Sequence, residues 1–168
     1  MKRWTPAKGA AALFRQFGAD AGRACLASLV RGEVGSAEFV NEPWSTVLAH
    51  IGNYRAPADG ERISTGRDEG TLLDLSRAGN AYWGRSWAAR ALAYSGDESS
   101  AAPLIQALED HHWRVRMTAA QSLGRLRLRG LEQDLLPLLD DEHPRVRDAA
   151  ALALERISGE PPHRSRRT

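Results

Sequence analysis

Apolar and small residues recur at a fixed interval through the second half of the chain. The segments GRSWAARALA from Gly84, VRMTAAQSLG from Val115 and VRDAAALALE from Val146 align at steps of 31 residues (115 − 84 and 146 − 115). Their columns hold Arg85, Arg116 and Arg147, then Ala88, Ala119 and Ala150, then Ala89, Ala120 and Ala151, then Leu92, Leu123 and Leu154. Within one segment Val115, Ala119, Leu123 and Leu126 fall at offsets of 4, 4 and 3, and Val146, Ala150, Leu154 and Ile157 repeat the pattern. Such offsets make one apolar stripe on a helix. Alanine in the adjacent column lets helix axes approach closely. A period of this length predicts a solenoid, in which each unit buries its apolar face by stacking on a neighbour.

Each unit reads as two helices. The first-helix segments are TLLDLSRA, AAPLIQALED and LEQDLLPLLDD, with Leu73, Leu104 and Leu135 in register. Upstream, Thr5 and Pro6 form a cap followed by proline at the first helical position, opening helix over residues 5–31 with an interruption at Gly18. A further helix is expected from Ser36, with a restart at Pro43 through Trp44, Val47, Leu48 and Ile51. The stretch from Ala56 to Gly70 is polar and glycine-rich, as a linker would be. The expected organisation is a non-repeat helical cap at 1–55, a linker at 56–70 and an array of about three repeats at 71–158, the first degenerate. A flexible basic tail at 159–168 completes it.

An apolar first helix ending in Asp, a turn, and then V-R-x-x-A-A-x-x-L-G resembles the HEAT-like repeats, in the short form named after phycobilisome lyases. LEDHHWRVRMTAAQSLGRL carries the resemblance most fully and LDDEHPRVRDAAALALERI nearly as fully. The resemblance implies an all-α fold, a short right-handed α-solenoid of helix pairs. It also implies a polar ladder of turn Asp and helix Arg, here Asp110 and Asp141 with Arg116 and Arg147. Arg85 is expected to lack its counterpart, because Gly79 occupies the Asp column. Because these arginines follow the period, their reading is structural. Deoxyhypusine hydroxylase, among the enzymes with similar repeats, has a His-Glu pair after the V-R dipeptide; Ser86-Trp87, Met117-Thr118 and Asp148-Ala149 stand there instead, which excludes that reaction.

Composition narrows the rest. With 42% hydrophobic residues, 26% charged residues and a net charge of +2, the chain suits a soluble fold without a global commitment to nucleic acid. A single cysteine, Cys25 in the apolar setting RACLASLV, forbids an intrachain disulfide and fits a reducing compartment. Arg15, Asp20 and Arg23 interrupt any signal-peptide core, and no apolar run approaches the ~20 residues of a membrane span. A cytoplasmic location without membrane contact is the expectation. His111, His112 and His143 cluster at turns, but His112 and His143 share a column and should stand on the order of 10 Å apart. One metal holding ligands at about 2.0–2.2 Å would bridge them poorly, so no metal site is expected. Phosphate loops and G-x-S-x-G, C-x-x-C and H-E-x-x-H patterns are absent, and neither a catalytic residue nor a cofactor is implied.

The most distinctive non-periodic feature is Trp83, Trp87, Arg90 and Tyr94, at offsets of 4, 3 and 4 on one helical face. The same columns continue through Arg114, Gln121 and Arg125, and through Arg145 and Arg156. In HEAT-like arrays this face lines the concave groove. These nine residues form the candidate binding surface, unless residues 1–55 cover Trp83 or Trp87. The leading reading is a non-catalytic scaffold module that binds a protein partner through an aromatic and basic groove. The alternatives are a lyase- or cyclase-type enzyme acting on a small molecule in the Trp/Arg pocket, and a nucleic-acid binder whose arginines track phosphates. Leu152, with Ala149 and Ala153, suggests an apolar patch through which the C-terminal helix would self-associate weakly.

Overall fold

The computed structural model describes residues 5–35, 43–52, 78–95 and 98–159. The expected helix start at Ser36, the 56–70 linker, the first-repeat helix around Leu73 and the tail beyond Gly159 lie outside the described residues. Those residues are helical throughout their regular structure and contain no strand.

Thr5 caps α1 (Pro6–Phe17) by accepting from the Lys8 N–H at 3.3 Å, and Pro6 occupies the first turn, where no amide hydrogen is needed. Gly18 ends α1 with φ +83°, a left-handed conformation that side chains resist, and α2 (Ala19–Val30) begins at once. The expected long helix is therefore two, hinged at that glycine. Next comes α3 (Trp44–Gly52), matching the restart at Pro43. In the repeat region a 3-10 turn (Ala78–Asn80) leads into α4 (Ala81–Leu92). There follow α5 (Ala101–Ala107), α6 (Trp113–Leu126), the short α7 (Glu132–Leu135) and α8 (Pro144–Ser158). After α7 the chain tightens into a 3-10 turn (Leu136–Asp140) around Pro137, which has no amide hydrogen to continue an α-helical ladder.

The second helices pack in sequence: α2 against α4, α4 against α6, α6 against α8. Most members of the periodic columns line these contacts, although in the last unit Ala151 is exposed and Leu154 half-buried. Ala88, Ala119 and Ala150 are each fully buried, as are Ala89, Ala120, Val115, Val146 and Leu123. Gly124 marks a close approach of α6 and α8, since a Cβ there would lie 2.7 Å from Ala153 Cα and 2.9 Å from Ala153 Cβ. The N-terminal helices share this core: α1 and α3 also touch α4, and Leu13, Leu26, Leu29, Leu48 and Ile51 are essentially inaccessible.

The C-terminal edge corrects one expectation. Ala149 and Ala153 are buried, at 4% and 1% exposure, because α8 turns them toward the array and sets Ala153 against Gly124. Of the expected patch only Leu152 is exposed, at 39%. Apolar exposure is found instead at Leu136 and Leu139, at 43% and 37%, while Leu108, one period before Leu139, is only 4% exposed.

Candidate functional site

The turns between first and second helices are polar and tightly bonded. Arg85 donates from Nε and Nη2 to the two carboxylate oxygens of Asp110, at 2.7 and 3.1 Å. Arg116 repeats the fork on Asp141 at 2.7 and 3.0 Å and adds Glu142 at 3.0 Å. Its Nη1 reaches back to the carbonyls of Asp110 and His111 at 2.9 and 3.2 Å. Arg116 thus grips its own turn by carbonyls and the following turn by carboxylates. This corrects the expected register: Arg85 does have a carboxylate partner, one repeat onward. Arg147 bonds only the carbonyls of Asp141 and Glu142, with no carboxylate partner among the described residues. The Arg116 fork holds the Asp141 carboxyl below the usual carboxylate range, and Asp141 in turn raises the guanidinium.

Beside the ladder runs a second periodic series. His112 and His143 are N-caps whose Nδ1 atoms accept from the Arg114 and Arg145 amides, each at 3.2 Å. The Tyr82 ring stacks on His112 at 3.6 Å between centroids, and the Trp113 ring stacks on His143 at 3.8 Å, both nearly parallel. These histidines cap helices and receive stacked rings. Sequence reasoning passed over Tyr82 and Trp113, although they stand 31 residues apart (113 − 82), as the two histidines do.

The nine candidate binding residues divide into two groups. At the N-terminal ends of the second helices, the Arg114 guanidinium carbon lies 4.9 Å from the Trp83 ring centre and 4.6 Å from that of Trp113. Arg145 lies 5.8 Å from Trp113, and Trp87 is 5.8 Å from Trp83. Trp83 and Trp87 are half-buried. Cation–π stacking of this kind uses the guanidinium face and leaves its in-plane N–H donors available.

Toward the C-terminal ends, a recess of about 250 Å³ lies between α4, α6 and α8. Arg90, Ala93, Tyr94, Thr118, Gln121, Ser122, Arg125, Leu152 and Arg156 line it. Arg125 stacks on Tyr94 at 4.6 Å. Thr118 is turned inward, donating to the Arg114 carbonyl at 2.8 Å and bonded to Ser86 at 2.9 Å. Arg90 Nε is buried with no hydrogen-bond partner among the described residues, and burial pulls its guanidinium below the ordinary arginine value. None of the residues lining the recess is a carboxylate.

A larger recess, about 520 Å³, is lined by Asp20, Arg23, Arg31, Pro103 and neighbours between α2 and α5. Its charges are compensated: Arg23 pairs with Asp20, and Arg31 with Glu33. Cys25 is half-buried, and desolvation raises its thiol above the ordinary value, the opposite of an activated nucleophile. No group of three or more His, Cys, Asp or Glu among the described residues is placed to hold a metal, and none of their helices is long and apolar enough to cross a membrane.

No curated protein matches the chain significantly. The family model described as HEAT repeats matches residues 71–155, just over half of the 168. The stacked second helices, the buried alanine columns and this match together place the chain in the HEAT-repeat family.

Proposed function

We propose that the chain is a non-catalytic interaction module of the cytoplasm. In this reading residues 71–158 form a short right-handed solenoid of phycobilisome-lyase-type repeats, capped by residues 1–55. It binds a protein partner through a groove formed by the outward face of α4, α6 and α8. HEAT repeats generally serve as protein-interaction scaffolds. The observation that carries the reading is the set of arginines on one face held by aromatic rings, Arg114 on Trp83 and Trp113 and Arg125 on Tyr94. Side chains held in this way lose little freedom on binding, a saving that favours recognition surfaces.

The test is affinity capture from the host lysate with the wild type and with Gln121→Glu/Arg125→Glu, two exposed positions on this face. The expected result is loss of a captured protein in the variant at unchanged thermal stability. Retention of every partner by the folded variant, or capture abolished by nuclease, overturns the reading.

A further inference from the structure

We infer that the recess between α4, α6 and α8 binds one doubly charged oxyanion, the phosphate of a phosphorylated side chain on the protein partner. This deepens the groove reading and rests on it for the identity of the partner. Three guanidinium groups, Arg90, Arg125 and Arg156, line one small space, and no carboxylate lines it with them. Uncompensated cations crowd together only at a cost, which an anion between them relieves. Arg90 adds a second observation, since it lines the recess and its Nε is buried and bonds nothing among the described residues. A buried donor left unbonded is expensive, so such a group in a folded protein marks the place of an absent acceptor.

The other lining groups suit the same ligand. Ser122 brings a hydroxyl to the lining, and Tyr94 holds Arg125 by its ring face, leaving guanidinium N–H edges for oxygen. A volume of about 250 Å³ accommodates a phosphorylated side chain with water. The geometry also favours a single anion over a nucleic-acid backbone. Arg90, Arg125 and Arg156 meet at one recess, whereas Arg114 and Arg145 stand apart from it at the opposite ends of the helices, beside Trp83 and Trp113. A polyanion needs an evenly spaced track of cations instead.

The experiment is calorimetric titration of the full chain with N-acetyl-O-phosphoserine amide, with N-acetylglutamate amide and a short single-stranded oligonucleotide as comparison probes. The expected result is one site for the phosphoserine probe, weakened about tenfold or more by Arg156→Gln and by Arg90→Lys. Arg90→Lys keeps the charge and removes the Nε–H, and the exposed Arg156 provides a variant that leaves the core untouched. Arg114→Gln should leave the affinity within about twofold, because the probe carries a single phosphate. Three results overturn the inference: absent phosphoserine binding, equal affinity for the glutamate probe, or oligonucleotide binding weakened alike by Arg114→Gln and Arg156→Gln. Because the titration needs no partner, its failure is separable from failure of the groove. Absent probe binding with capture still lost in Gln121→Glu/Arg125→Glu removes the anion site alone. Probe binding with capture unaffected supports the site and removes the groove reading.

Discussion

Arg116 and Asp141 meet as a two-point fork at 2.7 and 3.0 Å across 25 residues of sequence, with side chains only 11% and 9% exposed. The same arginine holds the carbonyls of Asp110 and His111 in its own turn, so one side chain joins two successive repeats. Arg116→Ala should strand both the Asp141 carboxylate and those carbonyls. A loss of about 2–3 kcal/mol is expected in denaturant unfolding. The phosphoserine affinity at 25 °C should follow only the folded fraction; a variant of unchanged stability that no longer binds the probe would refute the structural role.

Gly124 makes an equally sharp test. Its missing Cβ leaves room for Ala153, so Gly124→Ala should destabilise despite alanine's better helix propensity. The expected cost is about 1–3 kcal/mol from overpacking, against a propensity gain of about 1 kcal/mol. A rise in the melting temperature would show that α6 and α8 are not in contact there.

Acid should weaken the fold in two steps. His112 caps α6 through an unprotonated Nδ1, and burial holds its pKa below the ordinary 6.5. A depressed folded pKa means the contribution is full above 6.5 and disappears as pH falls through the lower folded value. Asp141, depressed below its ordinary 3.8 chiefly by the Arg116 hydrogen bond, adds stability above 3.8 that vanishes in stronger acid. Unfolding free energies across a pH series should show both steps. His112→Asn, which keeps a capping oxygen, should shrink the upper one and leave the share of His50, whose pKa burial also lowers; an unaltered profile would exclude His112 as a source.

Deleting residues 1–55 should lower stability and solubility together. Leu26, Leu29, Leu48 and Ile51 belong to the same core as Ala88 and Leu92, and α2 covers one side of α4. A fragment that melts at the full chain's temperature would show an independent N-terminal domain.

Self-association, if measured by sedimentation at rising concentration, should respond to Leu136→Glu/Leu139→Glu more than to Leu152→Glu. The first pair is the more extensive exposed apolar surface. The reverse order would return the contact to the outer face of α8.

Periodicity in the sequence carried the buried columns, because burial of Ala119 or Leu123 depends only on the helical face and the presence of a neighbour. It could not carry the ladder's register. A column of arginines and a column of aspartates look alike whether each Arg meets the Asp of its own turn or the next, and the structure chooses the next. Ala149 and Ala153 went astray for a related reason: face assignment by offset does not foresee the packing of Ala153 on Gly124. The candidate face was legible as residue types at helical spacing. Its division into a ring-stacked end and a recess was not, since side-chain direction decides it, and Tyr82 and Trp113 stand in a first-turn column whose third member, Pro144, has no aromatic ring.

The bonds of the ladder and the histidine stacks all lie near the N-terminal ends of α4, α6 and α8, while the recess lies toward the opposite ends. The three helices are therefore ribs pinned by polar bonds near one end, while α6 and α8 are set close by Gly124 against Ala153 toward the other. Gly124 sits between Ser122 and Arg125, both on the wall of the recess, so its lack of a side chain acts as a gauge for the gap. A single methyl there is a wedge between two ribs: it would alter the spacing of Arg125 and Arg156 without touching either.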